Sequence, residues 1–291
     1  MHVPGKNWLR SGKAPQACVP LLFSGLMLLN GCGWIVQTSQ NMKLRGYDND
    51  ISNATRAIAK AGDGADRAKA YSKRGNAYSE KARYGRGFKL ISATEYERLF
   101  DLAVEDHGQA IALNPASAEG YYNRGKAYWD RGTAEMTEHR DSKASFDRAA
   151  ADFELSTEKD PQNFIAFDML GLSNEQNGEW EQAIHDYTRE LALNPKLGTA
   201  RLADAYCGRG QFDQTKLNLE AAAVDYEKSV ELGAKTDDGC SCEPYNSLLE
   251  IYTETKQYDK AWDFVHRAQN SHHFLDGELV DRLKKASGRN G

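Results

Sequence analysis

The sequence predicts an all-α fold: a row of about five helical hairpins stacked side by side, with a capping helix at each end. Three observations predict it. A proline closes a similar phrase three times, "IALNP" at Pro115, "STEKDP" at Pro161 and "LALNP" at Pro195. The last two prolines stand 34 residues apart and the first two 46, so one unit carries an insertion. Secondly, "YSKRGNAY" places Tyr71, Gly75 and Tyr78 at the spacing at which "YYNRGKAY" places Tyr121, Gly125 and Tyr128. Thirdly, an alanine precedes an aromatic residue by four in Ala149/Phe153, Ala183/Tyr187 and Ala222/Tyr226. A small residue lets two helices approach closely, and large residues three and four apart form one apolar stripe. Proline ends each unit because it cannot continue the helical hydrogen-bond ladder.

These phrases resemble the tetratricopeptide repeat, a helix–turn–helix unit of about 34 residues. The resemblance covers residues 69–274 and implies a right-handed superhelical solenoid whose first helices line a concave groove. A third first-helix phrase, "FDMLGLSN", keeps Phe167, Leu170 and Gly171 but has Asn174 in an aromatic slot. A fourth, "TARLADAY", offers Leu202, Ala203 and Tyr206. The fifth, "YNSLLEIY", supplies Tyr245, Leu248 and Tyr252, with Leu249 in the small-residue slot. His107 after Ala103 and Val265 after Ala261 also depart from the pattern. The first two units are stretched, at 84–98 and 135–145, between their two helices. Longer loops along one edge, or longer helices, would absorb the extra residues.

The ends read differently. Residues 1–31 carry Lys6, Arg10 and Lys13 and no acid, followed by an apolar run from Ala17 to Leu29. A basic start and a short apolar run are the pattern of a secretory signal, too short for a membrane span. Leu29-Asn30-Gly31-Cys32 resembles the bacterial lipobox, which implies acylation of Cys32 and cleavage before it. Gly33 after the cysteine implies sorting to the outer membrane. Residues 32–47 are polar, without a sustained helical period, and read as a tether. Residues 48–68 contain Ile51, Ala54, Ala57 and Ile58 at helical spacing and read as an N-terminal capping helix. Residues 275–291 place Leu275, Leu279 and Leu283 on one stripe and read as the C-terminal capping helix and tail.

The chemistry of the chain is that of a binding protein. Its net charge of −5 argues against nucleic acid as a partner, since phosphate binding needs a basic face. The spacings of P-loops, nucleophile elbows, HExxH helices and dinucleotide-binding glycines do not occur, so the chain is expected not to be an enzyme and to need no cofactor. Cys240 and Cys242 lie before the first helix of unit five and His272 and His273 after its second. An antiparallel hairpin brings those points to one end, where two thiols and two imidazoles could hold zinc or build an enzyme site; a Cys240–Cys242 disulfide or a free pair is the plainer reading. Cys207 lies toward the far end of its helix and is not expected to bond either.

The resemblance implies peptide or protein binding in the groove. Asn76 from unit one, Tyr122, Lys126 and Trp129 from unit two, and Asp168 and Glu175 from unit three are the candidate groove residues. Asn76 and Asn123 coincide with asparagines of the carboxylate-clamp subclass, but Ser72, Ile165 and Met169 occupy its basic slots. The expected function is a lipid-anchored scaffold on the periplasmic side of the outer membrane, docking one or more proteins and able to self-associate through an end repeat. An assembly pilot for a secretin or pilus pore is the alternative.

Overall fold

The computed structural model describes residues 27–233, 243–270 and 273–289, with side chains from residue 38 onward. The chain divides into two compact units, Met1–Lys43 and Leu44–Gly291, and every hairpin lies in the second. Among the described residues there are twelve helices and no strand.

Helix α1 spans Met27–Lys60. The first hairpin is α2 (Gly64–Gly87) with α3 (Ala93–Leu113), and the second is α4 (Ala118–Thr137) with α5 (Lys143–Lys159). The third pairs α6 (Phe164–Gln176) with α7 (Trp180–Leu193), and the fourth α8 (Pro195–Thr215) with α9 (Leu219–Gly233). The fifth pairs α10 (Pro244–Glu254) with α11 (Tyr258–Asn270), and α12 (Gly277–Ser287) closes the row. Helix starts follow the local chemistry. The side chains of Asp63, Ser92, Ser117, Asn163, Asn194 and Asp276 each accept from a backbone N–H of the first turn, which satisfies a donor that has no intrahelical partner.

Five hairpins and two flanking helices match the predicted architecture, and two details differ. Residues 33–47, predicted to lack a helical period, belong to α1. No proline occurs between Pro20 and Pro115, so nothing breaks the helix that the capping segment begins. Of the two ways the sequence left open for the insertions, the structure shows longer helices. Helices α2 and α3 reach 24 and 21 residues and leave only residues 88–92 between them. The added turns bury Tyr96, Leu99 and Phe100 against Ala82 and Ala134, because these apolar residues recur at helical spacing along α3. The second difference is the register of the fourth hairpin. Its close-approach glycine is Gly210, facing the Tyr226 ring, so the phrase equivalent to "YSKRGNAY" starts at Tyr206.

The packing rule is the same in four hairpins. A Cβ on Gly75, Gly125, Gly171 or Gly210 would lie 2.5–3.1 Å from the ring of His107, Phe153, Tyr187 or Tyr226 respectively. The ring of the second helix rests on the bare backbone of the first. The fifth hairpin inverts the sizes. Leu249 holds the small slot and Val265 the ring slot, both buried in one core cluster with Leu248, Phe264 and Leu283. Bulk moves from the second helix to the first in this exchange, while both positions stay buried.

His107 is the unusual ring. It is fully buried, neither ring nitrogen has a hydrogen-bond partner, and burial lowers its pKa from 6.5 to about 4, with Arg124 and Lys126 adding to the shift. A histidine whose folded pKa is depressed contributes stability that is complete above the unfolded pKa and is lost as pH falls from 6.5 toward 4, by at most about 3 kcal/mol. His107→Phe is therefore expected to stabilise the protein more at pH 4.5 than at pH 7.5, read by urea unfolding at each pH. Equal differences at the two pH values would show that folding does not lower the pKa of His107.

Candidate functional site

The first helices of neighbouring hairpins are tied to one another through the predicted groove positions. Asn123 Nδ2 of α4 donates to Ser72 Oγ of α2 at 3.2 Å. Arg201 Nε of α8 donates to Asp168 Oδ1 of α6 at 2.6 Å. The positions chosen for a guest thus also connect one repeat to the next.

The six candidate residues divide by environment. Asn76 is exposed on α2 and lines a cleft of about 540 Å³ with Tyr47, Asn53 and Ala57 of α1. Lys126 is partly exposed and pairs with Asp130 one turn along α4, at 3.1 Å. Tyr122 and Trp129 are half-buried, their rings 5.6 Å from Phe153 and 5.0 Å from Phe146. Each therefore belongs to the wall of the second hairpin and shows only part of its ring. Asp168 is held by Arg201, and Glu175 accepts from the Tyr187 hydroxyl at 2.9 Å. Asn76 and Lys126 are the members most open to a partner.

The wall is rich in carboxylates under strain from burial. Burial pushes Asp130 above the usual carboxylate range, while Lys126 pulls it back. Burial also raises Glu175, against the Tyr187 hydrogen bond. Glu190 of α7 is fully buried with both oxygens unpartnered, and burial together with Asp168 raises its pKa to about 7, against the pull of Arg201. The other hairpins carry Ala110, Ser156, Ser229 and Ala268 at this position, seven residues after the alanine of the Ala-x₃-ring step.

An arginine–aspartate clamp, absent from the predicted site, recurs beside the close-approach glycine. Arg74 holds Asp106, Arg124 holds Asp152 and Arg209 holds Asp225, each through Nε and Nη2 at 2.7–2.8 Å. The signal was in the chain as a repeated Arg-Gly dipeptide and an Asp preceding each ring.

Among the candidate metal ligands, Cys240, Cys242 and His272 lie outside the described residues. His273 stacks on the Tyr245 ring at 4.1 Å. Among the described residues no group of three or more His, Cys, Asp or Glu side chains is placed to hold a metal ion. Cys207, which the sequence leaves out of the candidate disulfide, is fully buried and is itself disulfide-bonded. No helix among the described residues is long and apolar enough to cross a membrane. Cys32 lies within α1, in the part whose side chains are not described.

A family model described as "TPR repeat" matches residues 100–132. The small glutamine-rich tetratricopeptide repeat-containing protein 2 of Saccharomyces cerevisiae is 24% identical over 148 residues, which is 51% of this chain. The match spans only 38% of that relative's length. Solved structures similar to the chain include MamA, at 21% identity over 62% of this chain and 95% of that one, with a TM-score of 0.38. YrrB, described as a TPR protein with an unusual peptide-binding site, is 16% identical over 81% of this chain and 93% of its own, with a TM-score of 0.41.

Glu190 yields a test of the charge distribution. A carboxyl group whose folded pKa is raised has its full stability below the unfolded value of 4.5 and loses it as pH rises through 7. Glu190→Gln is expected to raise stability by about 1–3 kcal/mol at pH 8 and by much less at pH 4.5, measured by chemical denaturation. A loss of stability at pH 8 would mean that the carboxylate has a partner in the folded protein.

Proposed function

We propose that the chain is a tetratricopeptide-repeat docking scaffold for other proteins, without catalytic activity, held by a lipid anchor on the periplasmic side of the outer membrane; the match of residues 100–132 to the repeat and the row of helical hairpins support the repeat reading. The observation that carries the docking role is the wall of first helices. It carries exposed Asn76, partly exposed Lys126 and the partly shown rings of Tyr122 and Trp129, so a peptide laid along it meets both polar and aromatic contacts. Two observations support the address. The leader has basic residues, an apolar run and Cys32 in the order of a lipoprotein signal. The buried disulfide at Cys207 suits an oxidising compartment and not the cytosol. Several acyl chains, each adding about 0.8 kcal/mol per buried CH₂, would hold the protein at a bilayer.

The assembly-pilot reading shares the anchor and differs in the partner. Affinity capture from detergent-solubilised membranes separates the two, since a scaffold brings down cell-wall hydrolases or proteases and a pilot brings down a ring-forming pore. In either case the double variant Asn76→Ala with Lys126→Glu is expected to lower partner recovery at least tenfold, with its helix content by circular dichroism unchanged. Undiminished recovery would move the docking surface away from the first helices. The mass of the mature N-terminus tests the address. Diacylated Cys32 at the first position is expected, and an uncut chain starting at Met1 would remove the anchor from the proposal.

A further inference from the structure

The arginine of the clamp does more than hold its aspartate. It crosses the outer surface of the first helix and fills the cleft between successive second helices. Arg74 of α2 reaches Asp106 of α3 on one side and donates to Thr55 Oγ1 of α1 at 3.2 Å on the other. Arg209 of α8 reaches Asp225 of α9 and, at 3.7 Å, Glu181 of α7. Arg124 of α4 grips Asp152 of α5 while its Nη1 would lie 3.9 Å from a Cβ on Gly108 of α3.

The third hairpin keeps the aspartate, Asp186, and replaces the arginine by Leu170. The cleft between α5 and α7, over α6, consequently stays open, with a volume of about 680 Å³. Leu170 and Phe167 form its floor. Its walls carry six carboxylates, Asp147, Glu154, Glu158, Glu179, Glu181 and Asp186, and no lysine or arginine. Two of the six are already paired at the rim, Asp147 with Lys143 at 3.2 Å and Glu181 with Arg209 at 3.7 Å, while Arg189 has its guanidinium over the Phe167 ring at 5.8 Å and makes no described ion pair with Asp186.

Asp186 is only 5% exposed. In place of a guanidinium it has the neutral amide of Asn174, at 2.8 Å, and the ring of His185, at 3.2 Å, which is itself largely exposed. Burial holds its carboxyl above the usual range despite both contacts. A second buried acceptor points to the same missing donor. Asn177 Oδ1 lies in the cleft wall with no hydrogen-bond partner, while its Nδ2 donates to Asp147 at 2.8 Å. Asp147 occupies the position on α5 that Glu181, which faces Arg209, occupies on α7: each lies two residues before the alanine of the Ala-x₃-ring step.

We propose that this cleft receives the guanidinium of an arginine on a partner polypeptide, which takes the place of the arginine that Leu170 removes. Five N–H donors in a planar fork can serve the buried Asp186 carboxylate and further acceptors of the wall at once, whereas an ammonium presents a single point charge. The apolar floor of Leu170 and Phe167 covers the methylene stem of the same side chain. Ala150 and Ala151 on the α5 side leave room for the backbone that carries it. Its walls come from second helices and its floor from α6, and none of the six groove candidates lines it, so the proposal does not rest on that groove.

The experiment uses the full-length chain and a fluorescein-labelled heptapeptide with one central arginine between leucines, read by anisotropy. The peptide is expected to bind, and its citrulline and lysine counterparts to bind at least tenfold more weakly. Leu170→Arg, which restores the internal clamp, is expected to weaken binding at least tenfold while leaving the melting temperature unchanged or higher. Asp186→Asn provides a second variant and is expected to weaken binding similarly, whereas Lys126→Glu in the other wall leaves it unchanged. Equal binding of the citrulline peptide, absence of binding by the arginine peptide, or unchanged affinity in folded Leu170→Arg would each overturn the proposal. Binding of N-acetylarginine amide as tight as that of the peptide would overturn its polypeptide part and leave a small guanidinium ligand.

Discussion

The approach of a ring to a bare glycine backbone is the contact on which the array depends. A single helical hairpin of this length cannot bury its own apolar face, so each unit must be thin enough to stack. Gly75, Gly125, Gly171 and Gly210 supply that thinness, and any side chain there would meet the facing ring within about 3 Å. The clamp sits one residue earlier on the first helix and one residue earlier than the ring on the second. Close packing and charge pairing are therefore set by the same helix crossing. Three of the four glycine hairpins use both, and the fifth hairpin replaces both, with Leu249 and Val265 for the ring contact and Leu248 and Phe264 for the clamp.

This arrangement explains which parts were legible in the sequence. Hairpins one, two and three could be read because glycine, ring and proline stand in register. Hairpin four could be read only in part. "TARLADAY" carries apolar residues at helical spacing, but helical spacing does not mark which turn meets the partner helix; Gly210 opposite Tyr226 does. The irregular reading of 33–47 failed because an absence of apolar periodicity argues only against a buried face, not against a helix. Tyr122, Trp129, Asp168 and Glu175 were placed on the right helices. Their internal partners, Phe153, Phe146, Arg201 and Tyr187, come from elements distant in sequence, which single-sequence spacing does not connect.

The buried ionisable groups act against one another. His107 resists protonation as pH falls, and Glu190 resists ionisation as pH rises. Their contributions to stability have opposite slopes across much of the same pH interval, so the sum stays flatter than either part. The two sit in different hairpins, one and three, and in an array with nearest-neighbour coupling each acts first on its own hairpin and the junctions beside it.

The third hairpin concentrates the departures. It lacks the clamp arginine, it buries Glu190 where its neighbours carry alanine or serine, and Gly198 of the following helix crosses so closely that a Cβ would lie 2.3 Å from the backbone nitrogen of Leu191. Each feature removes stability locally or tightens a junction without supplying a compensating pair. In a quasi-one-dimensional stack such a unit sets the cooperativity of the whole, because coupling between the two ends must pass through it. A partner that contributes a cation there, to the folded form alone, stabilises the array by mass action and joins its two halves more firmly. The third hairpin is thus the place in this chain where binding and the integrity of the scaffold are most directly linked.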